Sequence, residues 1–197
     1  VFSDRVNTGI YILEPAIFDY YKKGIKYDFS QDLFPLMLKA EKPLYGFSMS
    51  GYWNDIGTIQ DYFQTNLDFL SGKIDLPFPE VHQPVTGIYL EDGSEVAPSA
   101  RLTAPLFIGK GTKIEDGAFL QSSIIGRENI ISSAASIKNS LIWNNCLVGD
   151  NSELRGTVIA DGVKVGRQVS IYDRTVIGRK NVLEREATIK PGVKIWP

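Results

Sequence analysis

The chain has one cysteine and one histidine among 197 residues. Cys146 has no partner for an internal disulfide, which points to a reducing compartment and to a small side chain packed in or near a core. The lone His82 excludes a zinc site built from several imidazoles and reads as a surface or interface residue. No apolar run reaches the roughly 18 residues of a membrane span, and no basic start precedes an apolar centre as in a secretory leader. The expected address is therefore the cytoplasm, with no membrane partner. Nor is there an excess of positive charge: 21 Lys and Arg against 23 Asp and Glu leave a formal charge of -2. That balance argues against a nucleic-acid partner. Small anionic ligands are compatible with it, because single lysines and backbone amides bind them without net charge.

What the chain does have is a period. From Leu90 to Ile195 a Leu, Ile or Val returns at nineteen rungs of a ladder, beginning Leu90, Val96, Leu102, Ile108, Ile114 and Leu120. Fifteen of the eighteen intervals are six residues. The other three, Leu120 to Ile125, Ile137 to Ile142 and Leu154 to Ile159, are five. A helix repeats its face every 3.6 residues and a strand every two, so six fits neither. It fits three short strands joined by corners into a triangular coil of about eighteen residues, stacked on the next coil at about 4.8 Å. Each five-residue step shortens one coil to about seventeen residues and keeps Ile108, Ile125, Ile142 and Ile159 on one wall. About six coils are expected over 87–197. Gly109, Gly126, Gly149, Gly166 and Gly178 each follow a rung, where corners needing positive backbone angles are expected.

Residues 1–72 follow other rules. Val6–Leu13 is rich in β-branched and aromatic residues and reads as a strand, closed by Glu14-Pro15. A short helix is expected from Pro15 to about Tyr21, and a second from about Gln31 to Ala40 with Ser30 as its cap. Leu44–Ser50 reads as another strand, and Ile59–Leu70 as a third helix ended by Ser71-Gly72. Strands alternating with helices indicate an α/β layer, here with too few strands for a whole sheet. Residues 73–86, with Pro77, Pro79 and Pro84, have a linker's composition, in which regular structure is not expected.

Asn7-Thr8-Gly9-Ile10-Tyr11, then Trp53-Asn54-Asp55-Ile56-Gly57-Thr58, then a helix, a proline-containing linker and hexapeptide coils: this order resembles the sugar-1-phosphate nucleotidyltransferases. Within them it resembles the mannose-1-phosphate guanylyltransferases and the glucose-1-phosphate adenylyl- or thymidylyltransferases, and looks closest to the first. The fold the resemblance implies is the C-terminal part of an α/β nucleotidyltransferase domain followed by a left-handed parallel β-helix. The implied reaction joins a nucleoside triphosphate to a sugar 1-phosphate and releases pyrophosphate, with Mg2+ as cofactor. Because the sugar phosphate attacks directly, no covalent catalytic residue is implied. By the same resemblance Asp55 is a magnesium-binding carboxylate that needs a second acidic ligand from elsewhere. Asn7, Thr8 and Gly9 belong to the sugar-phosphate pocket, with Trp53 as a wall. Read from the residues alone, Gly9 is equally a strand glycine, and Asp55 a turn residue capping the next helix.

The family's glycine-rich phosphate loop and its Glu-Lys-Pro signature do not precede Asn7. Glu41-Lys42-Pro43 spells the second, but after the strand, in what reads as a solvated turn. The chain is therefore expected to lack the nucleotide-binding half and to be inactive alone. Hexapeptide acyltransferases are similar in their coils but use a histidine beside them and an extruded loop, and this ladder has neither. A regulatory or assembly subunit is the other reading. Flat walls and terminal strands make a homo-oligomer through the β-helix the expected assembly.

Overall fold

The computed structural model describes residues 5–77 and 80–197. It divides into two compact units, Val1–Asp55 and Ile56–Pro197.

In the second unit the ladder is realised as a three-walled parallel β-helix of about six turns. All nineteen rungs point into one core: fourteen are buried, and Leu90, Val96, Leu102, Ile189 and Ile195, near its two ends, are partly buried. Ile108, Ile125, Ile142, Ile159, Ile177 and Ile195 pair in register up a single wall. Two strands, Arg101–Ile108 and Phe119–Ile125, run around a corner and join wall one, which holds Leu102 and Leu120, to wall two, which holds Ile108 and Ile125, in a twelve-stranded sheet. Wall three is a separate sheet of six, from Glu95–Val96 to Val182–Leu183. Close packing of branched aliphatics in this interior is what the six-residue period encodes.

The corners are built differently from the expectation. Positive φ falls three residues after a rung, as at Glu128 (55°), Asn145 (57°) and Lys180 (59°), and two residues after it in the shortened steps, at Ser122 (46°), Asn139 (47°) and Gly156 (59°). The glycines directly after the rungs are not in the left-handed region. They are needed for space. A Cβ on Gly109 would lie 2.6 Å from the backbone carbon of Gly126, and one on Gly149 would lie 2.7 Å from that of Gly166. Neighbouring coils approach through these glycines.

A ladder of small polar side chains runs inside one corner. Thr112 Oγ1 donates to the Gly126 carbonyl and accepts from Asn129 N, and Asn129 Oδ1 accepts from Cys146 N at 2.7 Å. Each buried polar atom thereby finds a partner one coil away, as burial demands.

Wall two carries a second apolar row on its outside, Ile124, Leu141, Val158 and Val176. The helix Ile59–Leu70 covers it with Tyr62 and Phe63. The helix boundaries match the expectation. The stretch read as a linker contains the strand Val81–Val85, antiparallel to Ile88–Glu91, with His82 opposite Leu90 and exposed. Proline is tolerated there because the strand lies at the start of the sheet and pairs on one side.

In the first unit Pro15–Tyr20 forms a 3-10 helix. The second helix starts earlier than expected, as a π turn Phe29–Leu33 continued by an α-helix Phe34–Lys39. Its cap is Asp28, which accepts from Ser30 N and Gln31 N, and not Ser30. The expected strands Val6–Leu13 and Leu44–Ser50 are not assigned as strands. A strand exists through its ladder, and no described residue pairs with these two; Ile12 and Phe47 are 101% and 92% exposed. Glu41-Lys42-Pro43 is an exposed turn that closes the preceding helix, with Lys42 N donating to the Met37 carbonyl.

Candidate functional site

Asn7 and Gly9 form one local structure. Gly9 N donates to Asn7 Oδ1 at 3.0 Å, closing an Asx turn whose Gly9 sits at φ +74°. Nothing lies within 4 Å of where a Gly9 Cβ would be. Gly9 is therefore a left-handed turn residue beside open space, not a strand glycine. Backbone of this kind admits a ligand closely.

The Asn7 amide nitrogen donates to Tyr11 Oη at 2.8 Å and to Ser30 Oγ at 3.0 Å. Tyr11 is held in turn against Phe29 and edge-on to Phe34, with centroids 5.5 and 4.9 Å away. Sequence reasoning missed Tyr11 and Ser30. The readable signal was Asp28, two residues before Ser30: once Asp28 caps the helix, the Ser30 hydroxyl is free to bond elsewhere. Thr8 is half-buried in the same turn.

Trp53 is 39% exposed, and the Asp55 carboxylate is exposed. The structural role weighed for Asp55, capping the next helix, belongs to Thr58: Thr58 Oγ1 accepts from Asp61 N at 3.1 Å, and Asp61 Oδ2 accepts from Thr58 N at 3.1 Å. This is a capping box. Among the described residues no three His, Cys, Asp or Glu side chains gather as a metal cage. A magnesium ion held by Asp55 would take water and phosphate oxygens among its other ligands.

The coil interior is chemically quiet. Cys146 is 2% exposed, donates to the Ala160 carbonyl at 3.1 Å, and burial pushes its thiol up to about 11. Its expected place in the core is confirmed.

Residues 85–189 match the family model described as the EIF2B subunit epsilon LbH domain, and residues 1–72 match the nucleotidyl transferase model. The class is thus a nucleotidyl transferase segment followed by a left-handed β-helix. The chain belongs to the EIF2B-epsilon-type left-handed β-helix family, and its curated relatives are sugar-1-phosphate nucleotidyltransferases. A UTP--glucose-1-phosphate uridylyltransferase of Synechocystis sp. is 36% identical over 77% of this chain and 40% of that protein. A glucose-1-phosphate adenylyltransferase of Acetivibrio thermocellus is 27% identical over 99% of this chain and 50% of that protein. The chain therefore spans half or less of the length of these relatives. Among solved structures, UDP-N-acetylglucosamine O-acyltransferase (LpxA) of Moraxella catarrhalis aligns with a TM-score of 0.41 at 14% identity, covering 56% of this chain and 61% of that one. The acetyltransferase domain of PglB from Neisseria gonorrhoeae aligns with 0.40 at 18%, covering 56% and 55%. No helix among the described residues is long and apolar enough to cross a membrane.

Proposed function

We propose that this chain is the sugar-side part of an enzyme that transfers a nucleotidyl group from a nucleoside triphosphate to a sugar 1-phosphate. A phosphate oxygen of the sugar attacks the α-phosphorus, the bond to the β-phosphate oxygen breaks, and pyrophosphate leaves. Such a reaction asks the protein chiefly to position two anions and offset their charge. In this reading the Asx turn Asn7–Gly9 presents backbone at the sugar phosphate, and Thr8 and Trp53 line the same pocket. Asn7 holds the turn through Tyr11 and Ser30. Asp55 supplies one carboxylate to Mg2+, which when bound offsets phosphate charge.

The observation that supports the proposal is the left-handed Gly9 turn beside open space, in a chain whose relatives are enzymes of this class; Asp55, not needed as the helix cap, is the carboxylate the resemblance assigns to the metal. Those relatives are named for glucose 1-phosphate with UTP or an adenylyl donor. Mannose 1-phosphate with GTP, to give GDP-mannose, is the finer reading, supported by the resemblance of Asn7–Pro15. The segment alone, without a nucleotide-binding half, is proposed to be inactive.

The test is pyrophosphate release by the full-length protein over a panel of four nucleoside triphosphates and several hexose 1-phosphates, with and without magnesium. Asp55→Ala is expected to lower the magnesium-dependent rate by well over tenfold, roughly 1.4 kcal/mol or more of transition-state stabilisation, with the circular dichroism of the coil unchanged. A rate equal to the parent's removes Asp55 from the metal site. Turnover with none of the pairs sinks the reaction class.

A further inference from the structure

The hydroxyls of Tyr11 and Ser30 hold more hydrogen-bonding capacity than the protein uses. Both N–H bonds of the Asn7 amide are spent, one on Tyr11 Oη at 2.8 Å and one on Ser30 Oγ at 3.0 Å, while Asn7 Oδ1 accepts from Gly9 N. Each hydroxyl is thus an acceptor toward Asn7 and keeps its own proton. The two oxygens lie 3.4 Å apart, a separation at which one hydroxyl donates only weakly to the other. At least one O–H of the pair is left without an acceptor among the described residues.

Packing decides which of the two presents that proton. The Tyr11 ring is half-buried, edge-on to Phe34 at 4.9 Å and tilted against Phe29 at 5.5 Å, so its oxygen has a fixed place. Ser30 is exposed, and its hydroxyl proton rotates to suit a partner. The phenol is the more acidic of the pair, so Tyr11 donates to Ser30 Oγ and the Ser30 proton faces outward, polarised by the bonds its oxygen receives. The charge around Ser30 selects what it can meet. Asp28 Oδ1 accepts from Ser30 N and Gln31 N, each at 2.8 Å, and Asp32 Oδ2 accepts from Asp28 N at 2.8 Å. Two carboxylates this near oppose a phosphate and leave a neutral oxygen as the fitting acceptor.

We propose that Ser30, backed by Tyr11, is a specificity-determining residue that donates to one ring hydroxyl of the hexose whose phosphate rests on the Gly9 turn. The inference rests on the function proposed above, which seats the sugar 1-phosphate at Asn7–Gly9. Asn7 ties the two places together: its Oδ1 fixes Gly9 N at 3.0 Å and its Nδ2 fixes Ser30 Oγ at 3.0 Å. A single amide group thereby sets the phosphate seat and the sugar-reading hydroxyl within reach of one hexose 1-phosphate. Asn7 and Tyr11 are positioning residues in this arrangement, because both N–H groups of the one and the ring of the other are committed to the protein. A site that offers a donor to a substrate hydroxyl discriminates against the analogue that lacks it.

The test compares the full-length protein with its Ser30→Ala, Ser30→Thr and Tyr11→Phe variants on glucose 1-phosphate, on mannose 1-phosphate, and on the monodeoxy analogues of whichever is used better. The parent is expected to lose about tenfold in kcat/KM on one analogue, the effect of one hydrogen bond. Ser30→Ala is expected to lose about the same tenfold on the complete sugar and nothing further on that analogue, so that discrimination between them vanishes. Ser30→Thr keeps the hydroxyl and is expected to keep the discrimination. Tyr11→Phe removes the backing donor and is expected to shrink it, which keeps the test informative if Ser30→Ala misfolds. If Ser30 served only to hold Asn7, the alanine variant would lose equally on every sugar, and that result overturns the proposal. So does a Ser30→Ala protein that discriminates as the parent does, or a Tyr11→Phe protein whose discrimination is unchanged. A parent inactive on both sugars overturns the reaction class itself, before any variant is compared.

Discussion

Arg127 reaches across a coil to grip Glu91: its Nη2 donates to Glu91 Oε1 at 2.6 Å and its Nε to Glu91 Oε2 at 2.8 Å. The same carboxylate accepts from Lys110 N at 2.8 Å. Glu91 is buried. A bidentate Arg–carboxylate pair is a strong form of ion pair, and here it fastens the first coil to the third.

The bond to Arg127, ahead of the opposing effect of burial, holds the Glu91 carboxyl below its ordinary range. A lowered folded value means that this stability is fully present above the unfolded carboxylate range, near pH 4.3, and is lost as pH falls through the folded value. Glu91→Ala removes the pair and leaves Lys110 N–H without its acceptor, at an expected cost of about 1 to 3 kcal/mol at pH 7. Urea melts at pH 7 and pH 3 are expected to show the variant and the parent converging at the acid end.

Gly109 and Gly162 make a matched pair for the two uses of glycine. At Gly109 an added Cβ meets the Gly126 backbone at 2.6 Å, so Gly109→Ala must push two coils apart. The expected loss is about 1 to 3 kcal/mol, the range for overpacking. Gly162 has φ +70° and an ordinary 3.5 Å contact to Lys180 Cγ. Asn occupies the equivalent corner at Asn145 and Asn151, so Gly162→Asn is expected to melt close to the parent. Thermal melts of both variants decide it.

Cys146 should behave as a gauge of opening. With a thiol pushed up to about 11 by burial, the thiolate fraction at pH 8 is about a thousandth. Alkylation in native buffer is expected to be slow and to rise sharply with denaturant at the global transition. Rapid labelling in native buffer would mean that the corner around Cys146 opens locally.

The β-helix was legible because its code is local and repeated: one aliphatic residue per wall, with five-residue steps that the stack absorbs in register. Ile125, Ile142 and Ile159 align where the spacing puts them. The corner glycines were misread because sequence shows where a glycine sits, not whether it serves a dihedral angle or a neighbour seventeen residues away. Val6–Leu13 and Leu44–Ser50 have strand composition, but pairing is not local, and their ladder has no described partner. Around Asn7 the turn was read as strand, because the β-branched and aromatic residues of Val6–Leu13 outweighed Asn-Thr-Gly. The link to Ser30 depended on a helix starting two residues earlier than Gln31, which only the Asp28 cap reveals.

The division of the chain at Asp55 and Ile56 has a practical edge. The nucleotidyl transferase match runs to residue 72 and so includes Ile59–Leu70, yet this helix shields Leu141, Val158 and Val176 of the solenoid. An excision at residue 72 would strip a hydrophobic flank and invite aggregation. Splicing the solenoid onto another protein calls for taking it from Ile56 onward, with its own cover attached.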